Sequence, residues 1–115
     1  MHVQIMLWDA PRSDEAVQAS ARAGRERIAP LVAAHPELRD RLLGGLRAVG
    51  PDGAECVIEI AHDDAALDLL GQLVMTSELL PGEDPALLTG PDRIQRYVTA
   101  DVFGQLADIL SGAAR

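Results

Sequence analysis

Apolar and polar residues alternate over residues 2 to 8, so that Val3, Ile5 and Leu7 fall on one side of an extended chain and His2, Gln4, Met6 and Trp8 on the other. A β-strand is predicted there, and Pro11 ends it. Ser13 offers a helix cap, while Asp14 and Glu15 place negative charge where the helix dipole favours it, so a helix is predicted from about residue 14. Along that helix Val17, Ala21, Gly24, Ile28 and Leu31 form one apolar stripe, with Arg22, Arg25 and Glu26 outside it. Pro30 removes a backbone donor and crowds the preceding turn, which predicts a kink or break before the chain restarts at His35-Pro36.

Residues 42 to 49 and 55 to 62 read as strands flanking Gly50-Pro51-Asp52-Gly53, a turn signal in which proline suits the first position and glycine the left-handed one. Closing the hairpin there puts Leu42, Leu46, Ala48, Cys56, Ile58 and Ile60 on one face and Arg47, Glu55, Val57 and Glu59 on the other. Asp63-Asp64 caps a second helix over 65 to 80, whose Leu67, Leu69, Leu70, Leu73 and Val74 make a wide apolar arc. A turn-rich loop covers 81 to 91 and is a candidate lid or partner-crossing segment. A final strand is predicted over 94 to 102, with Ile94, Val98, Ala100 and Val102 on one side and Gln95, Tyr97, Thr99 and Asp101 on the other; a helical tail follows Gly104.

The order βαββαβ predicts an α+β, ferredoxin-like domain, with right-handed crossovers placing two helices on one face of an antiparallel sheet ordered 4-1-3-2. The helices are expected to cover the apolar strand faces. The other face would then carry Gln4, Met6, Trp8, Val57 and Tyr97, a mixed surface that a second copy of the chain would cover.

The length of 115 residues suits one domain, with a core over about 2 to 103 and a tail over 104 to 115. Net charge is -8, all ten basic residues are arginine, and most alternate with acids, so no basic face for nucleic acid is predicted. No apolar run is long enough to span a membrane, and the N-terminus lacks the pattern of a signal peptide, which leads to an expected cytoplasmic location. Cys56 lies within an apolar run and is expected to be an inert small hydrophobe.

No metal is expected. His62 is adjacent to Asp63 and Asp64, but those acids serve as caps, and three consecutive residues do not converge on one ion. Phosphate loops, paired cysteines, the zinc-protease pair and the nucleophile elbow are missing from the sequence. The chemistry with most support is acid-base: Glu59, half-buried among Met6, Trp8 and Val57, would hold its proton to higher pH and act as a general base on a phenol or an acidic carbon. Arg47 would stabilise the oxyanion, Tyr97 or Gln4 would donate a hydrogen bond, Trp8 would stack on a planar substrate, and Thr99 and Asp101 would line the same site. The structural alternative is an Arg47–Glu59 pair across adjacent strands that fixes a dimer register.

The arrangement of elements, the Leu46-Arg47-Ala48-Val49-Gly50-Pro51-Asp52-Gly53 hairpin and the Asp63-Asp64-Ala65-Ala66-Leu67 helix entry resemble the dimeric α+β barrel superfamily, within it the small proteins grouped with antibiotic biosynthesis monooxygenases. The resemblance covers roughly residues 2 to 103 and implies a homodimer whose sheet faces meet in a barrel. It also implies a cofactor-independent oxygenase or cyclase acting on a phenolic or polyketide-like substrate. Its haem-degrading members use a helix histidine that the 65 to 80 segment lacks, so no cofactor is expected. The alternative function is a noncatalytic homodimer that binds a small ligand or supports a pathway partner.

Overall fold

Ser13 adopts an extended conformation (φ −67°, ψ 159°) and its side chain accepts from the Ala16 N–H, so the first helix starts at its predicted cap. The computed structural model, which describes residues 1–113, contains strands β1 (His2–Trp8), β2 (Leu42–Val49), β3 (Glu55–Ala61) and β4 (Arg93–Val98). Helices are α1 (Asp14–Arg22), α2 (Ala29–Ala33), α3 (Pro36–Arg39), α4 (Asp64–Thr76) and α5 (Gln105–Ala113). Asp63 caps α4 by accepting from Ala66 N–H, which again matches the sequence signal. Gly104 takes a left-handed φ of 69° just before α5.

The chain does not break at Pro30. A π-helical segment, Ala23–Ile28, joins α1 to α2, and the Ala29 N–H reaches back five residues to the Gly24 carbonyl. Because Pro30 has no N–H for the Glu26 carbonyl and its ring crowds that group, a wider turn just upstream lets the helix continue past it. The same turn aligns two arginines. On a regular α-helix residues five apart point about 140° away from each other, yet Arg22 donates to the Pro81 carbonyl (3.0 Å) and Arg27 to Glu83 (2.9 Å) and Ser77 (2.6 Å), together gripping the segment after α4.

The four strands form one antiparallel sheet in the order β2-β3-β1-β4. Its register corrects the expected faces. Gln4 lies opposite Glu59 and Arg96, Met6 opposite Val57 and Ile94, and Trp8 opposite Glu55, so these residues share one side. Arg96 on that side pairs with Asp68 of α4 (2.7 Å), and Glu55 accepts from Ser20 of α1 (2.9 Å), which makes it the helix-covered side. The reverse face carries Val3, Ile5 and Leu7 with Cys56, Ile58 and Ile60, and adds Leu46 and Ala48 from β2. Leu42 does not join them, because a bulge at Leu43 returns it to the helix side opposite Ala61.

The core beneath the helices is small: Leu38, Ala61, Ala66, Leu67 and Leu70 are buried together, and Val32, Leu42, Leu69, Leu73 and Val74 pack around them. Among the described residues half of the buried apolar ones are alanines, while Leu46 and Tyr97 on the other face are 57% and 52% exposed. Apolar surface of that size is therefore kept outside the monomer's own core.

The β2–β3 turn is fixed by contact with the loop before α1. Asp52 and Gly53 both take left-handed φ (56° and 80°), Arg12 N–H donates to the Asp52 carbonyl (2.8 Å), and a Cβ at Gly53 would collide with the Arg12 carbonyl. Gly53→Ala should therefore destabilise the fold by about 1–3 kcal/mol in urea unfolding, whereas the exposed Gly90→Ala, with open space around it, serves as the neutral control.

Candidate functional site

Three strands bring one polar residue each to the same level of the helix-covered face: Glu59 from β3, Gln4 from β1 and Arg96 from β4. Gln4 is buried, at 7% exposure, so its amide needs internal partners. It has two: Nε2 donates to Glu59 Oε1 (3.2 Å), and Oε1 accepts from Arg96 Nε (2.8 Å). Arg96 continues to Asp68 (2.7 Å) and Asp64 (3.8 Å) on α4, and His2 meets Asp64 at 3.1 Å. Burial pushes the Glu59 carboxyl above its ordinary pKa, and the Gln4 hydrogen bond and the Arg96 charge offset only part of that rise.

A second cluster sits at the far end of the same face around Glu55, which is 4% exposed. Its carboxylate accepts from Arg12 (2.7 Å) and Arg47 (2.9 Å) through Oε1 and from Ser20 (2.9 Å) through Oε2. Burial acts to raise the Glu55 pKa, but the hydrogen bonds from Arg12, Arg47 and Ser20 outweigh it and hold the group below its ordinary value. Arg12 also lies 5.5 Å from the centre of the Trp8 ring, and Trp8 Nε1 donates to the Thr89 carbonyl (2.9 Å), so the indole pins the 81 to 91 loop.

The predicted site is thus brought together in part, and on the side opposite to the one expected. Gln4, Met6, Trp8, Arg47, Val57 and Glu59 do share a face. Arg47 is committed to Glu55 and to the Val17 carbonyl (3.1 Å), not to Glu59. Tyr97 lies opposite Val3 and so belongs to the other face. The strand ends at Val98 instead of 102; the Thr99 N–H makes one more bond, to Met1, and Asp101 is exposed beyond the sheet. Sequence reasoning missed Arg12, Arg96 and Glu55. Arg96 had a legible signal, since its parity matches Ile94 and Val98, but Arg12 and Glu55 lie 43 residues apart with no local pattern joining them.

Two surface grooves lie elsewhere. One of about 640 Å³ runs between Arg12–Asp14 and the β2–β3 turn, and another of about 540 Å³ runs between α1 and residues 82 to 88; Glu59 lines neither. Among the described residues no cluster of three metal-ligating side chains occurs, and no helix is long and apolar enough to cross a membrane. Comparison with protein families, curated proteins and solved structures finds no match to this chain.

The two glutamates pull stability in opposite directions with pH. Glu55, with its folded pKa depressed, stabilises the fold above the unfolded glutamate pKa, and that contribution is lost as pH falls through the depressed folded value. Glu59, with its folded pKa raised, keeps its proton longer in the folded state, so its contribution declines as pH rises from the unfolded value through the folded one. In urea unfolding between pH 4 and 8, the stability of the protein minus that of Glu59→Gln should fall with rising pH and then level off. A flat difference would mean that Glu59 is not desolvated. Glu55→Gln should cost about 2 kcal/mol at neutral pH, because Arg12 and Arg47 lose their charged partner.

Proposed function

We propose that the protein is a homodimeric small-molecule enzyme of the cofactor-independent oxygenase or cyclase type, acting on a phenolic or polyketide-like substrate with Glu59 as general base. The observation that carries this reading is the state of Glu59: desolvated, raised in pKa, hydrogen-bonded to a neutral amide and free of a direct ion pair. A carboxylate that binds its proton more tightly than usual is the better base near neutral pH. It would take the proton from a phenol or from a carbon next to a carbonyl, leaving the phenolate or enolate that either reaction class requires. Met6 and Val57, in the next row of the same face, supply apolar surface for a planar substrate.

Homodimerisation through the reverse face belongs to the same proposal and agrees with the likeness to dimeric α+β barrels. The reverse face sets the partly exposed Val3, Ile5, Leu7, Ile58 and Ile60 beside the exposed Leu46 and Tyr97, an apolar surface of the kind that serves as a contact site. A twofold pair would set this face against its own copy. The candidate base then lies in each protomer between sheet and helices, outside the dimer interface.

Two variants separate the parts of the proposal. Ile58→Arg should convert the dimer to a monomer in sedimentation velocity, whereas Glu59→Gln should leave the dimer intact and lower turnover of a phenolic or β-dicarbonyl substrate by about 10²–10⁴-fold. A dimer whose turnover is unaffected by Glu59→Gln contradicts the assignment of the base. A dimer with no turnover across both substrate classes favours the noncatalytic, ligand-binding alternative.

A further inference from the structure

We infer that Arg96 is a positioning residue for Glu59, acting through the side-chain amide of Gln4; this rests on the reading of Glu59 as the general base. A glutamine amide has an acceptor end and a donor end, and which end faces Glu59 decides which protonation state is favoured. With the NH₂ toward the carboxylate, the charged form gains a hydrogen bond. With the carbonyl turned toward it, two acceptors face each other, and the contact is favourable only if Glu59 carries a proton.

Arg96 selects between these orientations. A guanidinium only donates, so its Nε, 2.8 Å from Gln4 Oε1, holds the amide oxygen on the β4 side and thereby turns Nε2 toward Glu59 at 3.2 Å. Arg96 is itself held by Asp68 (2.7 Å) and Asp64 (3.8 Å) of α4. The charged and titratable groups facing this chain are therefore Arg96 from β4, His2 from β1 and Asp64 and Asp68 from α4, while Gly45, the neighbour of Glu59 on β2, adds none. Register makes the relay possible: Arg96, Gln4 and Glu59 occupy one row across three adjacent strands. Helix α4 is thereby linked to the basicity of a residue two strands away from Arg96.

The test is the titration of Glu59, followed by carbon-detected NMR of the carboxyl in the intact, labelled protein. Arg96→Met should move the Glu59 midpoint upward, because Gln4 is freed to turn its oxygen toward the carboxyl and the nearby positive charge is lost. Gln4→Leu should also move it upward, and the double variant should shift by clearly less than the sum of the two. An unmoved midpoint in Arg96→Met, or shifts that add, would overturn the inference, since additivity means that Arg96 acts by its field alone. If Gln4→Leu does not fold, the Gln4 side-chain NH₂ signals in Arg96→Met decide: they should move toward free-amide positions, and unchanged signals overturn the relay. No substrate enters this titration, so an unsuccessful search for turnover and an unsuccessful relay give different results.

Discussion

An antiparallel sheet has two faces, and in this chain the helices cover the more polar one. Beneath α1 and α4 lie Gln4, Arg47, Glu55, Glu59 and Arg96, while Val3, Ile5, Leu7, Cys56, Ile58 and Ile60 point the other way. Burying Gln4 and Glu55 and half-burying Glu59 is tolerable only because each finds a partner, with Arg47 and Arg96 reaching in from exposed positions, and the result is the two hydrogen-bonded clusters around Glu59 and Glu55. The same allocation leaves the apolar side chains of two central strands outside the monomer's core. The candidate site and the candidate interface are therefore opposite consequences of one constraint, the period-two alternation of the strands.

The small core follows from it. Alanines at 16, 23, 61 and 66 let helices approach a sheet whose covered face carries polar groups, and large apolar residues cluster at the end near Leu38, Leu67 and Leu70. Elsewhere the helix layer is tied down by ion pairs that reach across long stretches of chain. Arg27 to Glu83 and Arg12 to Glu55 are the best shielded, with side chains at most 9% exposed. Buried pairs of this kind fix geometry more than they add stability, because desolvation offsets much of their attraction. Here they hold loops and turns against α1, and the π turn at Ala23–Ile28 makes the second arginine available for it.

Much of this was legible in the chain itself. The limits of β1, β2 and the start of α1 follow from alternation, the Gly50–Gly53 turn and the Ser13 cap, all signals read within a few residues. The residues that share a face with Glu59 on β1 and β3 were legible for the same reason. What alternation could not say was which face the helices take: handedness of the crossovers puts both helices on one side, but the phase of each strand relative to that side is set by register. The apolar sets of β1 and β3 were expected inside and lie outside, whereas Leu42, Ile94 and Val98 take the helix side as expected. Tyr97 does lie on the face away from the helices, as expected, but parted from Gln4 and Glu59, because its register against Val3 depends on a pairing 94 residues away in sequence. The continuous helix through Pro30 likewise depended on a compensating π turn that propensity does not announce.

The central claim is that a second copy of the chain covers the apolar face, and contacts between protomers test it most directly. In a mixture of differently labelled protomers, isotope-filtered NOE spectra should connect methyl groups of Ile5, Ile58 and Leu46 in one protomer with those of its partner. If those methyls show contacts only within their own chain, or with water, the apolar face is not a dimer interface and the account fails.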